Sequence, residues 1–468
     1  MSASVDGVSP TIAPDGVDIK PAGRLRISRL EHVTRTRNAN DLNFEPTDLA
    51  GLPNFRPSNI GKGNPNPTMP FHSDLPVLII GAGISGLTTA LALSQSHYDS
   101  ITIYEKSPSL DNEIGQGITL SPNGGRILRS LGIDFEKWKI VDFFGANINS
   151  ADELKHLKET VNQEVEVEGG RMRMKCAYRP DLLAALLERV REEGVKIETG
   201  KKVVRWGDGE VEFEGGEVRK GGLIVAADGV RSQAAEYVMG GSGVCPPLDS
   251  SGTIVYRFTL PTEKILNDPE IAFLLDAGPG MCSFNVSPDR KKWFMRYYCR
   301  ANEICNFGLY VLREHESEDE RRLRYSADRG SLEAEMEGFH PALLKLVRLA
   351  NDVLPLWRCT TREPLTRLHR GKTVVIGDAA HPLLPHVGLG AVSAIEDAGA
   401  LGALFEGFED DGDVADVLEE RLRLFSQMRV PRVAVYKYYS DVPFFRDMVA
   451  EQKEKVEKWM ESGELPRE

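Results

Sequence analysis

The sequence predicts a mixed α/β fold, in which a βαβ domain is interrupted by an inserted, mainly antiparallel sheet and is followed by helices. Three observations support this prediction. An apolar run at residues 77–80 ends in a Gly-x-Gly-x-x-Gly motif, and a helical pattern follows at once. Residues 245–360 are rich in strand-like runs with β-branched and aromatic side chains. An apolar strand returns at residues 373–376, and helical patterns follow it.

Each glycine of the motif has a physical reason. Gly81 allows a tight turn from the strand, Gly83 lets a pyrophosphate approach the backbone, and Gly86 allows the helix to pack closely on the strand. The start of the helix offers free N–H groups to phosphates. The next strand ends in Glu105, whose carboxylate can accept hydrogen bonds from a ribose hydroxyl. The pattern predicts a dinucleotide site rather than an ordinary tight turn, but by itself it does not separate NAD from FAD.

Bulk composition narrows the function classes. A chain of 468 residues predicts more than one domain or one large composite fold. The net charge is −13 and no long Lys/Arg block occurs, which argues against nucleic acid or an anionic membrane as a partner. The one stretch near membrane length, residues 75–93, carries the glycine motif, so we expect no membrane anchor. The six cysteines form no Cys-x-x-Cys pair, which favours reduced thiols and a cytoplasmic location.

The pattern of elements predicts five segments. These are a flexible N-terminal extension (1–72), the first part of the nucleotide-binding domain (73–244), a sheet domain (245–360), the second part of the nucleotide-binding domain (361–440) and a C-terminal helix (441–468). Further elements are predicted as helices at 125–131, 179–191, 316–329, 391–405, 414–439 and 444–462, and as strands at 195–198, 211–213, 222–226, 253–258, 281–286, 292–299 and 307–312.

Several motifs in order carry a family resemblance. They are Gly81–Gly86 with Glu105, and the segments 117–123, 178–182, 227–232, 377–382 and 429–432. On these motifs the chain resembles the class A (single-component) FAD-dependent monooxygenases, which share the fold of p-hydroxybenzoate hydroxylase. It looks most like the fungal salicylate-hydroxylase-like members. The resemblance runs from about residue 74 to about residue 440, and it implies a Rossmann-like FAD-binding domain with an inserted substrate domain.

The resemblance implies FAD as the cofactor. Asp378 follows an apolar strand and would accept hydrogen bonds from ribityl or pyrophosphate-side hydroxyls; a helix cap is the alternative. Arg179 would contact a phosphate or ribityl group, with a surface ion pair as the alternative. The backbone N–H of Ala391 would face the isoalloxazine. Gly388-Leu389-Gly390 departs from the family's usual Gly-Gln-Gly. The predicted cofactor-binding residues are Gly81, Gly83, Gly86, Glu105, Gly117, Arg179, Asp228, Asp378 and Ala391.

The implied reaction uses NADPH or NADH and O2 to hydroxylate an aromatic or polyketide-like small molecule through a C4a-hydroperoxide of the flavin. Tyr256 and Arg257 are the predicted catalytic residues, since relatives place substrate-facing residues on this strand; a core tyrosine and a surface arginine are the alternatives. His386 is a further candidate base. No metal site is predicted, because His381 and His386 lie in a Pro-rich loop without helical ligand spacing. We expect a monomer or a homodimer.

Two other readings stay open. The first is an FAD-dependent epoxidase or oxidative-rearrangement enzyme of secondary metabolism, because the same FAD core serves these reactions. The second is a protein that binds FAD without turnover, and the intact glycine motif, Arg179 and Asp378 argue against it.

Overall fold

The computed structural model describes residues 76–110, 115–167, 169–313, 324–406 and 414–441. All of them belong to one compact unit, Pro57–Glu468. The predicted N-terminal extension, the helix predicted at 444–462 and nearly all of the predicted C-terminal segment lie outside the described residues. None of the helices in the described ranges combines the length and the apolar character needed to span a lipid bilayer.

The strands are β1 Val77–Ile80, β2 Ile101–Tyr104, β3 Gly117–Leu120, β4 Val141–Asp142, β5 Gly145–Ser150, β6 His156–Val161, β7 Val165–Val167, β8 Gly170–Met172, β9 Lys175–Tyr178, β10 Lys196–Glu198, β11 Val203–Gly207, β12 Glu210–Phe213, β13 Val218–Lys220, β14 Leu223–Ala226, β15 Asp249–Pro261, β16 Met281–Val286, β17 Lys292–Cys299, β18 Ile304–Leu312, β19 Arg324–Asp328, β20 Val353–Thr361, β21 His369–Arg370 and β22 Thr373–Val375.

The α-helices are α1 Ile84–Gln95, α2 Pro122–Ser130, α3 Arg179–Glu192, α4 Ala234–Met239, α5 Thr262–Leu266, α6 Arg329–Glu335, α7 Pro341–Arg348, α8 Gly390–Phe405 and α9 Val414–Ser440. Short 3-10 turns occur at Ala272–Leu275, Gly377–Ala379 and Pro385–Val387.

The first layer is a six-stranded sheet in the order β10-β2-β1-β14-β22-β21. Its strands pair in parallel except β21, which is antiparallel to β22. All four residues of β1 are buried, as expected for a parallel strand covered on both faces. Helices α1 and α8 pack together closely: a Cβ added at Gly402 would lie 2.9 Å from the Cβ of Ala92. The sheet confirms the predicted α/β fold class.

The second layer is an eight-stranded sheet in the order β19-β20-β15-β18-β17-β16-β5-β6. It is antiparallel except where β16 runs parallel to β5. Its two faces differ, because side chains alternate along each strand. One face packs on a core formed with α6 and α7, and the other face carries a second, aromatic-rich cluster. Two strands of this sheet, β5 and β6, come from residues 145–161, which lie before the predicted sheet domain; the segment boundaries stay a prediction.

The helix predicted at 316–329 is wrong where it can be compared. Residues 324–328 form the edge strand β19, which pairs with β20, and residues 316–323 lie outside the described ranges. Charged residues dominate this stretch, and it was predicted as a charged helix that interrupts the sheet. Charged residues also suit a sheet edge, which explains the error. The helix predicted at 125–131 begins earlier, at Pro122, a residue type that favours the first helical position.

Candidate active site

Four predicted residues lie at one edge of the parallel sheet. Gly81 follows β1, Glu105 follows β2, Asp228 lies two residues after β14, and Asp378 lies three residues after β22. These strands are neighbours in the order β2-β1-β14-β22 and run in the same direction, so their carboxyl ends meet. The chain order reverses between β1 and β14, and ligands of open α/β sheets bind outside the carboxyl ends at such a point.

The three glycines of the motif serve two different purposes. Gly81 has φ +108°, and an added Cβ would overlap the carbonyl oxygen of Ala227. A Cβ at Gly86 would overlap the carbonyl oxygen of Gly81. Both glycines are therefore required by the packing of the chain on itself. A Cβ at Gly83 would meet nothing within 4 Å, so this position, just before α1, borders open space where a ligand can approach the backbone.

Glu105 holds the glycine turn. Its Oε2 accepts a hydrogen bond from the backbone N–H of Ala82 at 2.8 Å, and its Oε1 accepts one from the N–H of Ser107 at 2.8 Å. The carboxylate is half-buried beside the turn. A role at a ribose hydroxyl stays a prediction, and it is compatible with this position because each carboxylate oxygen can accept more than one hydrogen bond.

Asp228 presents an unused acceptor. Its Oδ1 is buried and has no hydrogen-bond partner among the described residues. Burial raises the pKa of the Asp228 carboxyl, while a hydrogen bond from Ser232 acts in the opposite direction. A buried oxygen without a partner is costly, and a hydroxyl of a bound ligand would remove that cost.

Asp378 lines a cleft of about 270 Å³ between the two sheets. Its side chain is exposed to solvent. The protein around the cleft nevertheless raises the pKa of its carboxyl, and His381 and Arg179 act against this rise. Arg179, the first residue of α3, therefore lies near Asp378. The cleft is also lined by Gln116, Arg257, Trp357, Pro382 and Pro385.

The structure separates the two predicted catalytic residues. Arg257 lines the cleft, and its Nη2 donates to the hydroxyl of Tyr310 at 3.4 Å. No carboxylate of the described residues lies within salt-bridge distance of its guanidinium. Tyr256 points to the opposite face of β15, where its ring is buried in the core with Phe258 and Leu309. Adjacent strand residues face opposite ways, so the placement of Tyr256 argues against its predicted catalytic role.

An aromatic wall lies beside Arg257 on the same face of the sheet. Trp293 and Tyr310 stack with their ring centroids 5.0 Å apart. His386 meets the Trp293 ring edge-on at 5.4 Å, and its Nδ1 lies 2.8 Å from the carbonyl oxygen of Ser440 at the end of α9. Burial raises the pKa of Tyr310, so its hydroxyl stays protonated. His386, the further candidate base, contacts this wall.

Gly117 and Ala391, two further predicted cofactor-binding residues, have different surroundings. The N–H of Gly117 donates to Oδ1 of Asn306 at 2.7 Å, and a Cβ at Gly117 would overlap the ring of Tyr297. This glycine therefore joins β3 closely to the large sheet. Ala391 is the second residue of α8, and a Cβ at its neighbour Gly390 would meet nothing within 4 Å. The first N–H groups of α8 thus border open space.

These features fit FAD. Open space borders the backbone at Gly83 and at Gly390, each at the start of a helix whose N–H groups suit anionic or carbonyl oxygens. The same edge of the parallel sheet carries the unpartnered oxygen of Asp228 and the exposed carboxylate of Asp378. An elongated ligand with phosphates, hydroxyls and a flat ring matches this set of donors and acceptors. In the described ranges, no three His, Cys, Asp or Glu side chains are grouped as metal ligands.

Comparison with known proteins shows the family to which the chain belongs. Residues 74–304 match the family of FAD binding domains. The chain is 34% identical over 346 residues to the FAD-dependent monooxygenase phomE' of Diaporthe leptostromiformis, covering 71% of this chain and 84% of that protein. It is 28% identical over 409 residues to hispidin-3-hydroxylase of Neonothopanus nambi, covering 82% of this chain and 93% of that protein.

Solved structures show the same fold. The complex of Klebsiella pneumoniae HpxO with FAD and uric acid has a TM-score of 0.63 and 24% identity, covering 79% of this chain and 88% of that chain. The glycine turn, the acidic residues at the carboxyl edge of the sheet and the extent of the sequence match lead to one conclusion. This chain binds FAD and belongs to the FAD-dependent monooxygenases, which are oxidoreductases.

Proposed function

We propose that this protein uses FAD, a nicotinamide dinucleotide and O2 to hydroxylate an aromatic or polyketide-like small molecule. One observation carries the substrate class: Arg257, a cation without a carboxylate partner in the described part of the chain, faces the cleft beside an aromatic wall. This set suits a flat substrate with an ionisable oxygen. It favours hydroxylation of an anionic ring over epoxidation of a neutral alkene, which would leave the guanidinium unpaired.

The FAD contacts follow from the sheet edge. The start of α1 at Gly83 would receive the pyrophosphate, and Glu105 the adenosine ribose. Asp228, Arg179 and Asp378 would contact the middle of the cofactor, and the N–H of Ala391 would face its ring. When bound and reduced, FAD activates O2 for the transfer of one oxygen atom to the substrate, while the other oxygen atom leaves as water.

Arg257 would bind and orient the substrate oxygen. A guanidinium stabilises a phenolate or enolate, and the negative charge makes the ring carbon more nucleophilic. The hydroxyl of Tyr310 accepts a hydrogen bond from Arg257 and would hold the guanidinium in this orientation. Trp357 lines the cleft, and Trp293 packs beside Tyr310; their apolar surface helps to exclude water from the reacting atoms.

A second cavity would receive the phosphates of NADPH or NADH. It has a volume of about 530 Å³ and is lined by Arg362, Arg231 and Ser232. Arg362 is only 6% exposed; its Nη1 donates to the carbonyl oxygen of Ala379 at 3.3 Å, and its Nε has no hydrogen-bond partner among the described residues. Burial lowers the pKa of this guanidinium. No carboxylate among the described residues lies at salt-bridge distance from this buried cation, which therefore suits an anionic ligand.

The two cavities adjoin, because Val230 lines both of them. Phosphates bound at Arg362 and Arg231 would therefore leave the nicotinamide within reach of the cleft that contains Asp378. This arrangement fits a dinucleotide that binds only transiently, since the sequence contains one glycine fingerprint and FAD uses it.

The Arg362→Gln variant tests the dinucleotide site. We expect KM for NADPH to rise about tenfold or more, because a buried charge-assisted contact contributes on the order of 1.5–3 kcal/mol. The Kd for FAD should change by a smaller factor, since Arg362 also donates to the carbonyl oxygen of Ala379 in the turn that carries Asp378. The measurement is steady-state NADPH oxidation at saturating substrate, with a parallel FAD titration. Arg367→Gln is the matched control, since Arg367 is exposed on the same segment and lines neither cavity. An unchanged KM, or an equal rise in the control, would contradict the site.

The substrate class is tested by NADPH oxidation of the FAD-loaded protein across a panel of phenols, aromatic acids and polyketides. We expect stimulation by aromatic compounds that carry an ionisable oxygen, and none by their methyl ethers.

A cytoplasmic location is supported by the six cysteines, which are all buried and form no disulfide. A monomer or a homodimer stays a prediction.

A further inference from the structure

The turn that carries Asp378 is held from behind by a buried cluster of charges. This cluster consists of Asp397 and Glu396 on α8, Arg429 and Arg432 on α9, and His381 at the end of the turn. We propose that Asp397 and Arg429 are positioning residues of the FAD site, which fix the 377–381 turn so that the Asp378 carboxylate faces the cleft. The inference rests on the proposed contact of Asp378 with FAD.

Asp397 contacts both ends of the turn. Its Oδ2 accepts from the backbone N–H of Gly377 at 2.8 Å and lies 2.6 Å from Nε2 of His381. The side chain of Asp397 has no exposed surface. Asp378 lies between Gly377 and His381 in the sequence, so these two contacts of Asp397 fix the backbone on either side of it. The buried carboxylate of Asp397 thus determines the orientation of the exposed carboxylate of Asp378.

Arg429 keeps Asp397 ionised and oriented. Its Nε donates to Oδ1 of Asp397 at 2.6 Å, its Nη1 donates to Glu396 at 2.9 Å, and its Nη2 donates to the carbonyl oxygen of Ser393 at 3.1 Å. Burial alone would raise the pKa of Asp397, but His381 and Arg429 lower it to about 2. The planar guanidinium spreads its N–H donors over three nitrogens in a rigid fork, so it reaches three separated partners in a fixed geometry, whereas the donors of an ammonium group all lie on one nitrogen.

The same turn packs tightly against α1, the helix whose start would bind the pyrophosphate. Gly377 has φ +56°, and a Cβ there would lie 2.8 Å from Oγ of Ser85 in the first turn of α1 and 3.4 Å from the Cβ of Ala394 in α8. The turn is therefore wedged between the two helices whose starts border the proposed FAD site. A displaced turn would disturb both ends of that site, which is why we expect an effect on FAD binding rather than on stability alone.

The test is a titration of apo-protein with FAD, followed by flavin fluorescence, together with the melting temperature of the apo-protein. Asp397→Asn is expected to raise the Kd for FAD about tenfold or more, by analogy with the loss seen when a residue supporting a ligand is changed. The amide places an N–H₂ group where the carboxylate accepts hydrogen bonds from three donors. Arg429→Lys keeps the charge but loses the multiple contacts, and it is expected to raise the Kd by a smaller factor.

The matched control is His369→Gln. His369 is buried and also ties a strand to α9, through Ser426 at 2.8 Å and Glu419 at 3.0 Å, but it does not contact the turn. We expect its apo-protein to lose melting temperature while its Kd for FAD stays within about twofold of the wild type. If the control weakens FAD binding as much as Asp397→Asn, the network is only structural and the inference is wrong.

Two further outcomes separate the claims. If Asp378→Ala leaves the Kd for FAD unchanged, the proposed contact of Asp378 with FAD is wrong and the inference falls with it. If Asp378→Ala weakens binding but folded Asp397→Asn does not, the inference alone is wrong. If Asp397→Asn does not fold, the Arg429→Lys variant tests the proposal instead. An unchanged Kd for FAD in that variant overturns the proposal.

Discussion

The Arg257→Gln variant is expected to lose about 100-fold in kcat/KM for the aromatic substrate, close to 3 kcal/mol, because a substrate oxygen would lose a cationic partner that faces the cleft. FAD binding and the melting temperature should change little, since Arg257 forms no ion pair within the described part of the chain. The measurement is substrate-dependent NADPH oxidation with product quantification. NADPH oxidation without product should become a larger share of the total, because the unpaired substrate is held less well.

Tyr256→Phe is the matched control for this prediction. Tyr256 immediately precedes Arg257 on β15 and faces the core, so the loss of its hydroxyl should leave kcat/KM within about threefold of the wild type. If Tyr256→Phe is as severe as Arg257→Gln, the assignment of the two strand faces to core and cleft is wrong for catalysis. If Arg257→Gln retains full activity, the proposed substrate class loses its support.

Alanine substitutions at two glycines of the same motif should affect different properties, FAD binding in one case and stability in the other. Gly83→Ala should leave the melting temperature of the apo-protein little changed, because φ −78° and ψ −177° suit alanine and the added Cβ meets open space. It should weaken FAD binding about tenfold or more, since the methyl group occupies space that a pyrophosphate would use. Gly81→Ala should unfold or strongly destabilise the chain, because φ is +108° and the Cβ overlaps backbone.

The two variants are compared by apo-protein melting and by FAD titration. Retained FAD affinity in Gly83→Ala would show that the phosphates do not approach this turn. A stable Gly81→Ala protein would contradict the packing of Gly81 against Ala227.

Local patterns predicted the frame of the fold. The strands at Met281–Val286 and Lys292–Cys299 have the bounds that the sequence indicated, because their aromatic and apolar residues suit a buried sheet. The residues that follow β1, β2, β14 and β22 were predicted as one site, since an apolar run that ends in glycine or aspartate is visible without knowledge of the fold. Motif order sufficed for the cofactor.

The sequence did not indicate the polar strands, nor which face of a strand meets the cleft. Strands β5 and β6 carry few β-branched apolar residues, so neither alternation nor propensity indicated them. The pair Tyr256 and Arg257 must face opposite ways on a strand, but only the packing of both sheet faces decides which one meets the cleft.

Long-range ion pairs were also invisible. Arg362 reads as a surface arginine between Thr361 and Glu363, and its burial follows from the crossing of chain segments around the second cavity. Asp397 and Arg429 are 32 positions apart, and nothing local in either helix indicates that they meet. Buried charges that meet their partners only in the folded chain are the features that local sequence patterns predict least well.

The central claim is that this protein inserts one oxygen atom of O2 into an aromatic substrate at the expense of NADPH or NADH. The most direct measurement is oxidation of the dinucleotide by the FAD-loaded protein under ¹⁸O₂, with product mass spectrometry across the substrate panel. We expect at least one aromatic substrate to stimulate oxidation and to gain one labelled oxygen atom. Oxidation that yields only hydrogen peroxide with every compound, or a protein that cannot be loaded with FAD, would contradict it.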